Sequence, residues 1–166
     1  MQSVKVIYGS STGSTQNAAL AIALALNGTA INISDAQPED FQADLLILGT
    51  STWGWGELQD DWLSGINKLD ALDLNGKKVA VFGLGDQEGF ADTFVAGMKI
   101  LADKLAECGA IRVGETSAKG YSCTSCDAIQ DGKFCGLALD DTNQPEKTAS
   151  RISLWAEALK KEGLEA

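Results

Sequence analysis

The residues best placed to do chemistry form a loop of glycines and hydroxyls, Gly9-Ser10-Ser11-Thr12-Gly13-Ser14-Thr15. It follows the strand-like run Ser3-Val4-Lys5-Val6-Ile7-Tyr8 and precedes a stretch rich in alanine and leucine. Where a strand hands over to a helix, the first backbone N–H groups of the helix are unpaired and carry the positive end of its dipole. Such a loop is an anion cradle. Serine and threonine hydroxyls add donors for phosphate oxygens, and with no Lys or Arg in the loop the anion would be held by dipoles alone. The spacing is not that of the nucleotide-triphosphate loop, because Ser14 stands where a lysine is required. The dinucleotide pattern fails too: Gly83-Leu84-Gly85 begins it, but Glu88 takes the place of its third glycine.

Two later loops supply different chemistry. Trp53 and Trp55 lie in the segment from Thr50 to Leu58, and Phe90 lies in the segment from Leu84 to Ala91, where Gly85-Asp86 adds a backbone turn with a carboxylate. A flat heteroaromatic ring with a phosphorylated tail suits this set. Aromatic faces stack on the ring, main-chain groups reach its polar edge, and the first loop takes the tail. Trp62 and Trp155 fall at helical spacing with other apolar residues and are expected in the core.

These loops need a scaffold that brings them together. Short apolar runs at residues 4–8, 30–33, 45–49 and 79–83, with a last one split between 111–114 and 134–139, alternate with helix-period stretches. Residues 15–26 read as a helix closed by Asn27-Gly28. Residues 60–69 present Trp62, Leu63, Ile66 and Leu69 on one face, and Phe94, Met98, Leu101 and Leu105 mark a third helix that Gly109 ends. Ile152, Trp155 and Leu159 mark the last helix, with Pro145 in its first turn. Nearly continuous apolar strands separated by helices predict an α/β three-layer sandwich with a doubly wound, five-stranded parallel sheet. In such folds ligands bind beyond the carboxyl ends of the strands, which is where all three loops fall. Residues 116–132 interrupt the fifth strand and exceed ordinary loop length, so a surface excursion with turn structure of its own is expected.

Composition narrows the function further. The 166 residues fit one domain, 1–166, with no internal repeat or linker. The 23 acidic against 13 basic residues, formally -10, argue against nucleic acid and favour protein partners with basic faces. There is no histidine, so histidine general-base catalysis and histidine-ligated metals are excluded. The first strand begins at once, without room for a signal peptide, and no apolar run is long enough to span a bilayer, so a cytoplasmic protein is expected.

Taken together these blocks resemble a known family. The first loop, Thr52-Trp53-Gly54-Trp55-Gly56-Glu57-Leu58-Gln59-Asp60-Asp61-Trp62, Phe82-Gly83-Leu84-Gly85-Asp86-Gln87-Glu88-Gly89-Phe90-Ala91-Asp92, and Gly132 to Asp140 occur in order along the whole chain. They are similar to the long-chain flavodoxins, small carriers of one electron that bind flavin mononucleotide (FMN) non-covalently. The insertion at 116–132 matches what separates long-chain from short-chain members.

The resemblance implies strand order 2-1-3-4-5 and an FMN that cycles between semiquinone and hydroquinone while docking on a reductase and then on an acceptor oxidoreductase. It implies that Ser10, Ser11, Thr12, Gly13, Ser14 and Thr15 hold the phosphate. Ser51, Thr52, Trp53, Gly54, Trp55 and Gly56 would run along one side of the ring, with Trp53 on its inner face. Leu84, Gly85 and Asp86 would reach the pyrimidine edge, Phe90 would cover the outer face, and Asp92 belongs to the same loop. The Gly54–Trp55 peptide would turn over on one-electron reduction. The chain departs from the family pattern in Phe90 for tyrosine, Ser51 for proline, Ser14 for lysine, and Thr142 for the acidic residue that often approaches the ribityl chain. The rival implied by the same fold is an FMN-dependent quinone or nitro reductase, which needs room above the ring that Phe90 would close. A phosphorylated receiver is set aside, because Tyr8-Gly9-Ser10 and Gly49-Thr50 stand where its carboxylates belong.

Four cysteines remain, at 108, 123, 126 and 135. Cys123-x-x-Cys126 lacks the second pair of a zinc ribbon and falls in the insertion, not at a helix start. Incidental thiols, a reversible disulfide and an all-cysteine metal site are the readings it leaves. Cys108 and Cys135 read as core residues.

Overall fold

A computed structural model describes residues 3–11, 13–53, 56–123 and 126–164, with the side chains of Trp53 and Leu164 outside that description. In chain order the regular elements are β1 (Val4–Tyr8), α1 (Ser14–Ala25), β2 (Thr29–Asn32), β3 (Leu45–Trp53), β4 (Glu57–Leu58), α2 (Asp60–Gly65), β5 (Lys78–Leu84), α3 (Ala96–Glu107), β6 (Ile111–Arg112), β7 (Thr116–Ser117), β8 (Ile129–Gln130), β9 (Lys133–Phe134), β10 (Leu137–Leu139) and α4 (Thr148–Leu159).

The main sheet runs β10-β5-β3-β1-β2. Its pairings are parallel, with Val6 opposite Ile47 in one register and Ile47 opposite Ala80 in the next. Successive side chains of a strand point to opposite faces, and the core divides accordingly. Leu46 and Leu48 of β3 and Val79 and Val81 of β5 meet Trp62, Met98, Leu101 and Leu105 on one face. Leu45, Ile47, Ala80 and Phe82 meet Ala19 and Ile22 of α1 and Ile152, Trp155 and Leu159 of α4 on the other. That is the expected three-layer α/β sandwich, in the expected order. Trp62 and Trp155 are core residues, and their indole N–H groups donate to Gly49 O at 2.7 Å and Gly114 O at 2.8 Å. Gly49 is required by close approach: a Cβ there would run into the Phe82 ring.

The fifth strand is split as the sequence suggested, since β6 and β10 both pair with β5, at Lys78–Val79 and at Phe82–Leu84. One boundary differs. Phe134, expected in the fifth strand, belongs to a separate antiparallel sheet, β7-β9-β8, built by the insertion. Its ring is held edge-on by Tyr121 (centroids 4.7 Å apart) and Phe94 (5.8 Å), and the main sheet resumes only at Leu137. The helix expected over 60–69 also stops early: α2 closes at Gly65 and tightens into a 3-10 turn at Ile66–Leu69.

Candidate functional site

The three loops converge at the carboxyl edge of the sheet. The first is fastened to its neighbours. Gly9 N–H donates to Gly49 O at 3.2 Å, and Gln59 Nε2 donates to the Ser11 hydroxyl at 3.0 Å. Gly13 is the N-cap of α1 with φ +94°, a left-handed turn that glycine adopts without a Cβ clash. Its N–H donates to Ser10 Oγ at 3.0 Å, which closes the loop. No side chain caps α1 and its first turn carries no acidic residue. The N–H groups of Ser14, Thr15 and Gln16 open the helix and so have no intrahelical acceptor, which is the arrangement that suits an anion. One carboxylate does approach the loop: Asp61 Oδ2 accepts from Ser10 N–H at 3.4 Å and from Asn32 Nδ2 at 3.2 Å.

The second loop continues β3. The Thr52 hydroxyl oxygen accepts from Gly97 N–H at 2.9 Å, joining the end of β3 to the first turn of α3. Gly56 has φ +99° and packs against Thr93 and Ala96.

The third loop is shaped by two aspartates. Asp86 Oδ1 accepts from Gly89 N–H (2.7 Å), Glu88 N–H (3.1 Å) and Asn143 Nδ2 (2.7 Å). The Gly89 N–H, then the Asn143 side chain and the Glu88 N–H, hold the Asp86 carboxyl below the usual carboxylate range against the opposing effect of burial. Asp140 is fully buried. Its Oδ1 accepts from Thr142 and Asn143 N–H, and its Oδ2 from Gln87 N–H, Gln87 Nε2 and Asn143 Nδ2. Burial alone would push this carboxyl up, but the Asn143 and Gln87 bonds outweigh it and the group is held low.

Between these loops lies a cavity of about 350 Å³, within the range of small-ligand sites. Of the residues the sequence singled out, Ser14, Ser51, Thr52, Leu84, Gly85, Asp86 and Phe90 line it. Phe90 is 54% exposed, so its ring is not committed to the core. Ser10, Ser11, Gly13 and Thr15 share the first loop with Ser14 without lining the cavity, Gly56 packs against Ala96 of α3, and exposed Asp92 does not line the cavity either. Thr12, Gly54 and Trp55 lie outside the described residues, as does the Trp53 side chain.

Sequence reasoning missed Thr93 and Val95 as lining, and it assigned Phe94 only to a helix face. Val95 is buried with φ +49°, an unusual conformation for a β-branched residue, and nothing in its sequence context signals it. Asp141 and Thr142 complete the wall. Among the described lining residues two are acidic and none is basic. No cluster of three or more candidate metal ligands occurs among the described residues.

Comparison with known proteins points the same way. The family model described as flavodoxin matches residues 6–155. A flavodoxin of Synechocystis sp. is 42% identical over 165 residues, covering 96% of this chain and 97% of that protein. One from Trichodesmium erythraeum is 43% identical over 169 residues, covering 98% of each. Among solved structures, Fusobacterium nucleatum flavodoxin bound to flavin mononucleotide superposes with a TM-score of 0.91 at 34% identity, over 98% of this chain and 99% of that one.

Proposed function

The chain belongs to the flavodoxin family, and on that footing we propose that it is a low-potential one-electron carrier that binds FMN non-covalently in the cavity between its three loops. The observation that carries this reading is the composition of that cavity. It combines an uncapped helix start, the segment Leu84-Gly85-Asp86 that leaves the end of β5, and an exposed aromatic, Phe90, in one space of about 350 Å³. Bound there, the flavin supplies the one-electron redox chemistry that no side chain of the site can provide.

The residues of the chain bind, orient and shield. The first turn of α1, with Ser10 to Thr15, would hold the phosphate through N–H groups and hydroxyls. Ser51 to Gly56, including Trp53, would flank one side of the ring, and Leu84, Gly85 and Asp86 would meet its polar edge. Phe90 would cover the outer face. Asp92, away from the cavity, would act only through its loop. Asp140 and Asn143 keep the third loop and the chain after β10 in register, so the edge of the site is fixed before anything binds.

The role calls for no catalytic acid or base, and the protein is proposed to be a carrier, not an enzyme. No helix among the described residues is long and apolar enough to cross a membrane. The acidic surface suits docking on basic faces of a flavodoxin/ferredoxin reductase and of acceptor oxidoreductases, in the cytoplasm, as a single domain and a monomer. A quinone or nitro reductase is the less favoured reading. Its second substrate would need the space over the ring that Phe90 borders.

Titrating the cofactor-free chain with FMN tests the proposal. Flavin emission should be quenched at a one-to-one ratio, without steady NAD(P)H oxidation by the purified protein alone. Phe90→Ala should weaken FMN by about 1–3 kcal/mol, or about 5- to 150-fold, the usual worth of one ring–aromatic stack, and leave unfolding within about 0.5 kcal/mol because the side chain is exposed. Failure to take up FMN would overturn the reading, and quenched FMN with rapid NAD(P)H turnover would favour the reductase.

A further inference from the structure

The Cys123-x-x-Cys126 pair is the one sequence motif that electron carriage leaves unused. Both cysteines are buried, at 5% and 3% exposure, and both belong to the core under α3. They touch the loop that carries Phe90. Cys123 Sγ donates to Ala91 O at 3.0 Å, and the preceding residue, Ser122, donates through N–H (2.6 Å) and Oγ (3.1 Å) to Gln87 Oε1. Gln87 in turn donates from Nε2 to Asp140 at 2.8 Å. Burial first, then hydrogen bonding and charge from Cys123, push the Cys126 thiol up to about 12. For Cys108 and Cys135 no other cysteine contributes: burial first raises both thiols, with Lys104, Glu107 and Asp70 acting on the first and Arg112, Lys99 and Asp103 on the second.

We propose that Cys123 and Cys126 are a thiol–disulfide site that is oxidised reversibly by low-molecular-weight disulfides, and that oxidation loosens the loop of Phe90. Cys123 is the less buried of the two, at 5% against 3% exposure, and its thiolate is the group that attacks a reagent disulfide RSSR. It forms the mixed disulfide Cys123–SR and expels one RS⁻. Cys126 then gives up its proton and attacks the Cys123 sulfur, forming the protein disulfide and expelling a second RS⁻. The two protons from the thiols leave as two RSH. Two protein thiols lose two electrons and one RSSR gains them.

A bridge that closes so short a loop restrains the unfolded chain little, so it does not act as a permanent staple. Neither cysteine belongs to a helix among the described residues, so the N-terminal dipole that makes such motifs rapid catalysts does not act on them there. It is therefore a slow, reversible modification. Its consequence is local: the bridged Cys123 has no S–H to donate, and Ala91 O loses that partner.

The test is equilibration of the purified full chain in glutathione buffers from fully reduced to strongly oxidising, followed by acid quench, alkylation, intact mass and peptide mapping. The expected result is loss of two alkylatable thiols of the four, mapped to a 123–126 bridge, restored on return to reduced glutathione. Cys126→Ser should stop at a mixed disulfide on Cys123. Hydrogen exchange at residues 86–94 should be faster in the bridged form. Four alkylatable thiols at the most oxidising ratio, or a bridge to Cys108 or Cys135, would overturn the site. A bridge with unchanged exchange over 86–94 would overturn the coupling to Phe90.

Discussion

Ser14→Asp should stabilise the cofactor-free chain while lowering its FMN affinity by about two orders of magnitude. Ser14 opens α1, where no side chain caps the helix and no acidic residue occupies the first turn. A carboxylate there meets the positive end of the dipole and should add about 0.3–1 kcal/mol to unfolding stability. The same carboxylate would face the phosphate proposed to sit in that cradle. Two unit charges about 4 Å apart at an effective dielectric near 20 repel by about 4 kcal/mol. Salt and side-chain motion reduce this, leaving about 2–3 kcal/mol, or about 30- to 150-fold in affinity. Riboflavin has no phosphate and should bind the variant and the parent alike. Thermal melts of the apoprotein and parallel fluorescence titrations with FMN and riboflavin read all three effects. Equal losses for both flavins would move the phosphate away from the Ser10–Thr15 loop.

Asp140→Ala should cost about 2–4 kcal/mol of stability, because it removes hydrogen bonds to a charged acceptor and leaves buried amide donors without a partner. All five hydrogen bonds to Asp140 come from donors, and both of its oxygens are used. Truncation would leave N–H groups of Gln87, Thr142 and Asn143 facing an apolar space, each at about 1–3 kcal/mol if unsatisfied. Asp140→Asn separates charge from shape. Whichever way the amide is turned, its NH₂ points at donors, so it should still lose about 2 kcal/mol. FMN affinity should fall as well, since Asp86, Asp141 and Thr142 line the cavity from the two segments that Asp140 joins.

Acid sensitivity follows from the same group. Its folded pKa is depressed, so its contribution is fully present above the unfolded carboxylate value of about 3.9 and is lost as pH falls through the lower folded value. Asp86 and Asp40 shift the same way, Asp40 chiefly through the Gln37 N–H. Stability should hold from neutrality to about pH 5 and decline below about pH 4, with a shallower acid limb in Asp140→Asn. Urea unfolding across pH measures both effects. Losses below about 1 kcal/mol in both variants would mean that solvent replaces the carboxylate, and the network account would fail.

The sequence showed the scaffold and the three loops clearly because both rest on local signals. The unbroken apolar run Leu45, Leu46, Ile47 and Leu48 marks a strand buried on both faces, and the run from Gly9 to Thr15 marks a strand-to-helix turn on composition alone. Phe134 was misplaced because β-like character does not say which sheet a strand joins. That choice is made by Tyr121 and Phe94, neighbours distant in sequence. The roles of Gln87 and Asp140 were equally hidden. A buried amide and a buried carboxylate look like surface residues until the fold brings 87, 122, 140 and 143 together. Val95 entered the cavity wall through a backbone conformation that its type disfavours, and Asp61 reached the first loop from the start of α2.

The lining of the cavity leads to the most direct measurement. Asp86 and Asp141 line it with no Lys or Arg among the described lining residues, Asp61 lies against Ser10, and the chain carries a formal charge of -10. Negative charge added to a flavin on full reduction is therefore unfavourable here, with only the distant contributions screened by salt. Anaerobic redox titration of the FMN-loaded protein, followed by its absorption spectrum, should resolve two separate one-electron steps, the second well below that of free FMN. A single two-electron step at the free-flavin potential would contradict the assignment of this chain as a low-potential one-electron carrier.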